Sequence, residues 1–494
     1  MFEKLLIANR GEIAIRVART ARELGIASVA VYTDADRESL HVRRTDEAFS
    51  LGENPRAYLD AERIVDTAVR AGCDALHPGY GFLSENADFA ELCAARGVTF
   101  VGPPSGAIRT MGEKQRARAA MAAAGVPVVP GGSAETLEQA RATAKSVGFP
   151  LLVKAANGGG GKGMRLVMNE AELASALERA KSEAEKAFGS SAVYIEKALE
   201  RARHVEVQVL GDREGTVVHL GERDCSLQRR HQKILEETPC PVLDAKTRDA
   251  LCQVAQQGAR SIGYFSAGTF EFLLDRSGGF YFLEMNTRLQ VEHPITELVT
   301  GIDLVRAMLE IAAGQRISPE IPERRGAAIE ARITAEDPVQ GFAPSPGTIE
   351  HYTASSGPGV REDGGVRSGS RVGSDYDPLL SKLCVWAPDR PQALARMQRA
   401  LRECAVTGIS TNLELLERLV ASPAVRSGDY DTTFVERELA SLLASTPNGG
   451  PSDEVLAAAA AALVARREER ETAKRPEAGL SPWVMVERAA RFEK

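Results

Sequence analysis

Four consecutive glycines set between two short apolar runs constrain this chain more than any other segment. Residues 150–154 (Pro-Leu-Leu-Val-Lys) read as a buried strand ending on Lys154, and residues 164–168 (Met-Arg-Leu-Val-Met) as a second strand. Strand, glycines, strand is the order of a hairpin loop. Gly158, Gly160 and Gly163 satisfy the G-x-G-x-x-G spacing, but a dinucleotide fingerprint needs a helix directly after the loop. A Walker A loop is excluded too, because Gly163 rather than Ser or Thr follows Lys162. What remains is a loop whose backbone N–H groups can approach phosphate oxygens unobstructed, with Lys154 and Lys162 adding positive charge. A plain flexible turn is the alternative.

A second constraint lies more than a hundred residues later. Residues 269–274 (Thr-Phe-Glu-Phe-Leu-Leu) and 280–286 (Phe-Tyr-Phe-Leu-Glu-Met-Asn) alternate apolar and polar, with a turn segment, Asp-Arg-Ser-Gly-Gly, between them. This pattern predicts a hairpin with Glu271 and Glu284 near one end and Asn286 on the face of Glu284. Two carboxylates and an amide oxygen are hard ligands, suited to Mg²⁺ held with nucleotide phosphates and not to zinc. Two solvated surface glutamates are the alternative. If the chain stays extended after Asn286, then Asn286, Arg288, Gln290 and Glu292 point one way and continue the metal strand as a polar wall, or else form a solvated row. Together the two segments imply ATP and metal held between two lobes.

Composition narrows the class. Lys and Arg total 61 against 68 Asp and Glu, a net charge of −7, which gives no case for nucleic acid. The basic cluster over residues 223–233 fits the phosphates of a small ligand better. Hydrophobic residues make up 44%, ordinary for a globular protein, and no apolar run is long enough for a bilayer. The N-terminus opens directly into a strand with no signal-peptide pattern, and the seven cysteines are scattered without C-x-x-C, which together predict a cytoplasmic protein. Cys225 lies inside a motif, where small-residue packing is its expected role. No H-E-x-x-H is present, so a zinc site is not expected.

Periodicity predicts strands at 5–8, 28–32, 75–77 and 99–101 with an amphipathic helix over 12–24, a βαβ layer of parallel strands. A long helix is expected over about 170–188.

At this point the residues resemble a known family, biotin carboxylase, the ATP-grasp component of biotin-dependent carboxylases. The resemblance runs from Leu-Leu-Ile-Ala-Asn-Arg-Gly-Glu-Ile at 5–13 to about residue 440. It includes His-Pro-Gly-Tyr-Gly-Phe-Leu-Ser-Glu-Asn at 77–86, the glycine loop, and Glu-Arg-Asp-Cys-Ser-Leu-Gln-Arg-Arg-His-Gln-Lys at 222–233. It continues through Glu-Met-Asn-Thr-Arg-Leu-Gln-Val-Glu-His-Pro at 284–294, Ala-Glu-Asp-Pro at 335–338 and Pro-Ser-Pro-Gly at 344–347.

The resemblance implies a mixed α/β and α+β ATP-grasp fold. Residues 1–113 would be the Rossmann-like N-terminal domain and 114–330 the ATP-grasp domain, with a lid lobe over about 130–203. Residues 331–445 would be the C-terminal domain and 446–494 a tail. The substrates and cofactors implied are ATP, Mg²⁺ (or Mn²⁺), bicarbonate and carrier-bound biotin. ATP would contact Lys114, Lys154, Gly158, Gly159, Gly160, Gly161, Gly163 and Met164, with Glu196, Lys197, Leu199 and Leu273 at adenine and His204, Gln228 and His231 at the ribose. Glu271 and Glu284 would hold the metal, with Asn286 beside them. Lys233 would face the terminal phosphate and bicarbonate; Arg288, Gln290 and Val291 would cradle bicarbonate and Glu292 would take its proton. Arg332 would stabilise charge on the biotin ureido oxygen. The chain departs from the usual loop pattern at Ala156 and Asn157, where family members have Ser and Gly.

The resemblance also implies a homodimer, with Asp377 supporting subunit contacts, and a multi-subunit acyl-CoA carboxylase of the acetyl-CoA or propionyl-CoA type, as in fatty acid biosynthesis, with a pyruvate carboxylase subunit as the less favoured alternative. A carbamoyl-phosphate synthetase-like ligase or a non-catalytic ATP-binding regulator are the competing readings. A linker at 445–452, an Ala-rich helix over about 453–474 and a Ser-Pro-Trp segment complete the chain. With no Met-Lys-Met site, biotin is expected on a separate carrier protein, and a carboxyltransferase on further subunits. Trp483, Val484 and Met485 are candidates for docking one of these, a frayed solvated tail being the other reading.

Overall fold

The computed structural model describes residues 1–155, 165–188 and 191–444, together with positions 458, 461, 462, 464 and 465. The glycine loop, from Gly158 to Met164, and the segment carrying Trp483, Val484 and Met485 lie outside the described residues. In the chain's second unit, residues 444–494, Ala458, Ala461, Ala462, Val464 and Ala465 are helical, within the expected Ala-rich helix.

Five parallel strands open the first unit: β1 (Lys4–Ile7), β2 (Ala27–Tyr32), β3 (Glu47–Ser50), β4 (Ala75–His77) and β5 (Thr99–Phe100), in the order β3-β2-β1-β4-β5. A parallel sheet covered on both sides needs near-continuous apolar strands. β1 supplies them: Leu5 and Ile7 pack with Ile13, Val17 and Ala21 of the helix Gly11–Glu23, and Leu6 packs the other way with Val29, Val31, Ile64 and Val65.

A smaller antiparallel sheet follows: β6 (Gly131–Ser133), β7 (Leu151–Ala155), β8 (Arg165–Val167) and β9 (Val193–Lys197), ordered β6-β9-β7-β8. β7 and β8 pair with Leu151 opposite Val167, so the glycines do join two antiparallel strands. Helices Leu137–Val147 and Glu170–Phe188 cover the sheet, the first started by a capping box between Thr136 and Gln139.

The site is carried by an eight-stranded sheet. Its strands are β10 (Arg203–Gly211), β11 (Val217–Arg229), β12 (Gln232–Thr238), β13 (Ser266–Leu274), β14 (Phe280–Asn286) and β15 (Ala327–Thr334), followed by Leu379–Ala387 and Val360–Gly364. The order is β14-β13-β10-β11-β12-β15, then Leu379–Ala387, then Val360–Gly364, antiparallel throughout. Residue 330, where the sequence suggests a boundary, lies inside β15, so one sheet runs through that position. No described helix is long and apolar enough to cross a membrane.

One local expectation fails. The extended polar wall from Asn286 to Glu292 does not form: β14 stops at Asn286, the chain turns, and the helix His293–Thr300 begins. Pro294 is the cause. Proline lacks an N–H and has a preset φ, so it suits the first turn of a helix, where no backbone acceptor is waiting. Glu292 thereby becomes the residue before a helix, fully buried, while Arg288 keeps partial access to solvent.

Candidate active site

β10 reads His204-Val-Glu206-Val-Gln208-Val, an alternation that ordinarily marks one dry and one wet face. Here both are dry. Val205, Val207 and Val209 join Phe270 and Phe272 in an apolar core, while His204, Glu206 and Gln208 on the other face are equally buried. Arg223 on β11 makes this possible. Its fully buried guanidinium donates to Glu206 Oε1 (2.5 Å), to Gln208 Oε1 and Thr296 Oγ1 (2.8 Å each) and to Thr269 Oγ1 (3.2 Å). The expectation that the basic cluster at 223–233 meets ligand phosphates therefore fails for Arg223, whose donors are consumed inside the protein. Arg229, at the end of β11, lies over the Phe342 ring and donates to the Gly341 carbonyl.

Three glutamates converge on Lys233 of β12. Its Nζ lies 2.6 Å from Glu206 Oε2, 2.7 Å from Glu292 Oε1 and 3.1 Å from Glu271 Oε1. Glu292 Oε2 accepts from Arg332 Nη2 at 2.9 Å, and Arg332 Nε donates to Glu236 Oε1 at 2.6 Å. Burial alone would push the Glu292 carboxyl up, but Lys233, Arg332 and Arg223 hold it well below the usual carboxylate range. Burial disfavours charge on Lys233 as well, yet its three carboxylates keep the ammonium charged. For Glu271, burial is likewise overcome, by Lys233 and then His204, whose Nε2 is 3.0 Å from Glu271 Oε2. His204 is raised in turn, the Glu271 charge outweighing burial. Taking such charges out of water is tolerable only when each meets an opposite one.

The expected β13–β14 hairpin forms, and a register shift between Glu271 and Phe272 sets Glu271 and Glu284 directly opposite each other. Glu284 reaches solvent at the hairpin's edge; the surrounding protein and then the Glu271 charge push its carboxyl up. Two crowded carboxylates of this kind are a fitting donor set for a divalent cation. Asn286 turns its Nδ2 to Glu271 Oε1 (2.7 Å) and its Oδ1 to Arg288 Nη2 (2.9 Å). Arg288 also donates to Gln290 Oε1 (3.2 Å) and to Glu85 Oε2 (2.9 Å), and Glu85 Oε1 accepts from the Thr287 N–H (3.0 Å). The Val291 carbonyl accepts from the fully buried Lys382 at 2.9 Å.

The remaining expected contacts are spread around this cluster. Lys154 of β7 is ion-paired with Glu196 of β9, and Lys197 donates to the Phe149 carbonyl at 3.0 Å. Leu199 follows β9, half-buried, and Leu273 stands opposite His204 between β13 and β10. Lys114 is exposed at the start of the helix Lys114–Ala123. Gln228 is buried opposite Lys233 in the β11–β12 hairpin, and His231 is exposed at its turn with φ of 66°. A cavity of about 450 Å³ opens beside the cluster, lined by Lys233, Arg332, Val291, Tyr80, Glu12 and Asp377. Asp377 thus stands at this cavity. Cys225 is buried with its Sγ 4.0 Å from Glu292 Oε1, so its packing is against the site itself.

Family comparison decides what such a constellation belongs to. The chain matches the biotin carboxylase N-terminal domain over residues 1–108, the ATP-binding domain of the carbamoyl-phosphate synthase L chain over 113–320 and the biotin carboxylase C-terminal domain over 330–437. A biotin carboxylase from Nostoc sp. is 50% identical over 441 residues, 88% of this chain and 99% of that protein. The chain belongs to the biotin carboxylase family. Among solved structures, the biotin carboxylase domain dimer of Hydrogenobacter thermophilus 2-oxoglutarate carboxylase, in complex with MgADP, ADP and bicarbonate, is similar at 46% identity and a TM-score of 0.85, covering 90% of this chain and 99% of that one. The rice methylcrotonoyl-CoA carboxylase subunit alpha is 49% identical over 90% of this chain, which spans only 61% of that longer protein. This biotin carboxylase is accordingly an ATP-dependent ligase with the ATP-grasp fold, and the regulator reading falls away.

Sequence reasoning missed Glu206, Glu236, Glu85, Glu12 and Lys382, and it gave Arg223 the wrong partner. Glu206 and Arg223 are polar residues on strands, which look the same whether their face meets water or a second layer of charge; Glu12 lies in the helix Gly11–Glu23 and Glu85 in a turn.

Proposed function

We propose that this enzyme catalyses the first half-reaction of a multi-subunit acyl-CoA carboxylase, of the acetyl-CoA or propionyl-CoA type, charging biotin on a separate carrier protein. The single observation carrying the site assignment is that Lys233 and Arg332 meet on Glu292 at the edge of the cavity. The Nostoc relative is called simply biotin carboxylase, which supports this half-reaction. The partners are then a biotin carboxyl carrier protein and carboxyltransferase subunits. A homodimer is supported by the dimeric Hydrogenobacter domain.

In this reading Glu271 and Glu284 hold Mg²⁺, which supplies charge neutralisation for the ATP phosphates when bound. Lys114, Lys154 and the glycine loop hold those phosphates; Glu196, Lys197, Leu199 and Leu273 flank the base, with His204, Gln228 and His231 toward the ribose. Bicarbonate lies among Arg288, Gln290 and the Val291 backbone, a pre-oriented cationic rim because Glu85 and Asn286 fix the guanidinium of Arg288. Glu292 accepts the bicarbonate proton. A carboxylate held so low is a weak base, so it acts chiefly through its fixed position between Lys233 and Arg332. The bicarbonate oxygen attacks the γ-phosphorus of ATP, the bond to ADP breaks, and carboxyphosphate forms under the Lys233 charge. Arg332 stabilises negative charge on the ureido oxygen as the biotin nitrogen attacks the carboxyl carbon and phosphate leaves, taking up the nitrogen's proton.

The test is ATP hydrolysis with Mg²⁺ and labelled bicarbonate, with and without biotin, while trapping carboxybiotin. Label on biotin, and faster transfer to a biotinylated carrier than to free biotin, is the expected result. Bicarbonate-dependent hydrolysis that never labels biotin or carrier would overturn it. Acyl acceptor choice is read by adding carboxyltransferase with acetyl-CoA, propionyl-CoA or methylcrotonoyl-CoA in parallel.

A further inference from the structure

Arg332 is held from two sides, and only one of its two carboxylates belongs to the chemistry proposed above. Nη2 lies 2.9 Å from Glu292 Oε2 and 2.5 Å from Oε1 of Glu236 of β12, which is fully buried and also accepts from Nε. A guanidinium carries its five N–H donors in one plane, so fixing Nε and Nη2 fixes where Nη1 points. Among the described residues Nη1 donates to no protein acceptor, and Arg332 lines the cavity.

Behind Glu236 stands a second carboxyl. Glu330 of β15 is its direct partner across the β12–β15 pair, also with no exposure. Glu236 Oε2 and Glu330 Oε1 are both buried and neither meets a protein hydrogen-bond partner among the described residues. Glu330 Oε2 accepts from the Cys384 thiol at 3.3 Å. The charged groups facing Glu236 are Arg332, Glu292, Lys233 and Glu330; those facing Glu330 are Lys382, Glu236, Arg332 and Glu292. Nothing in the chemistry of ATP or bicarbonate calls for this buried pair, yet it sits against Arg332, an arginine that lines the cavity.

We propose that Glu236 is a positioning residue for biotin carboxylation: it anchors the Arg332 guanidinium so that one edge stays on Glu292 and the Nη1 edge faces the cavity. This rests on the reading that Arg332 acts on biotin. Without Glu236 the guanidinium is free to turn both edges onto Glu292, its nearest remaining carboxylate. That would withdraw the donor from the cavity and tie up the group that takes the bicarbonate proton.

The test is a double-mutant cycle on the full chain with E236Q, R332A and E236Q/R332A. Each variant is assayed for carboxybiotin formation and for bicarbonate-dependent ATP hydrolysis without biotin, and its melting is followed to show that it folds. E236Q is expected to lower kcat for carboxybiotin formation by roughly 10- to 100-fold, with the KM for ATP little changed and a smaller loss of biotin-free hydrolysis. In the R332A background the same change should cost almost nothing more, because its effect passes through Arg332. Full additivity of the two losses would overturn the inference while leaving Arg332 its role. R332A losing both activities equally would instead remove the reading on which it rests. Should E236Q fail to fold, E236D in the same cycle decides, since the shorter side chain cannot keep the 2.6 Å contact.

Discussion

β1 and β10 are both withdrawn from water, for opposite reasons. In β1 the residues Leu5, Leu6 and Ile7 are apolar on both faces, and burial itself stabilises them. In β10 one face is valine and the other is His204, Glu206 and Gln208, and burial of that second face costs free energy that only Arg223, Lys233 and the neighbouring strands offset. A dry polar face of this kind marks where a sheet has been turned from scaffold into reaction surface. The two faces should therefore respond differently to mutation and to pH.

The largest effect is expected at Glu292, which is held between the cations Lys233 and Arg332. Glu292→Gln keeps the shape and removes the charge, so bicarbonate-dependent ATP turnover should fall by roughly 10²- to 10⁴-fold. Nucleotide affinity, followed by calorimetry, should stay within a few-fold. Normal turnover in this variant would mean that Glu292 is not the proton acceptor. Next comes a direct comparison of the two strands. Arg223→Met leaves Glu206 buried without its main partner and should destabilise by about 3–5 kcal/mol. Leu6→Ala opens a cavity and should cost about 2–5 kcal/mol. The two costs separate by pH. Burial already raises the Glu206 carboxyl, so acidification neutralises it and should lessen the Arg223→Met loss, while the Leu6→Ala loss stays constant. Parallel melting curves for both variants across pH would break the distinction.

A finer test uses Glu236, pushed up to about 7 from 4.5 by burial, with Arg332 opposing and Glu292 adding. The folded state then keeps a proton that the unfolded chain has already released. Stability from this group declines as pH rises from about 4.5 to 7 and is level above that. Glu236→Gln should flatten this part of the stability profile in chemical denaturation; an unchanged slope would assign the decline to other groups. The smallest effect is expected at the surface. Arg109, about half exposed beside Asp88 and Glu91, should give no measurable melting shift on change to Ala.

Much of this architecture is legible in the residues. Alternation marks β13 and β14 with Glu271 and Glu284 near one end, though the register shift that sets them opposite is not visible in it; strand–glycines–strand order marks β7 and β8; apolar runs mark β1, β2 and β4. The biotin carboxylase resemblance adds the residue roles, which periodicity cannot supply. Reading by pattern stops where two layers meet. Glu206 and Gln208 have the spacing of a wet face, and only the packing of the helix His293–Thr300 over that face, with Thr296 bonded to Arg223, makes it dry. The segment after Asn286 misleads for a local reason, because Pro294 starts a helix where alternation suggested more strand. Glu236 and Glu330 give no sign at all, since two glutamates on different strands acquire meaning only when register sets them opposite.

β15 bears on how the chain could be divided. It is hydrogen-bonded to β12 on one side and to Leu379–Ala387 on the other, and it carries Arg332 between them. Cutting the gene near residue 330, however natural the sequence makes that seem, would strip β12 and Leu379–Ala387 of their shared partner and expose two long edges. Unpaired edges recruit strands from whatever is nearby. Fragments split there would be poorly behaved apart and driven to recombine when mixed, so a split version of the enzyme would regain Arg332 in its place only on reassembly.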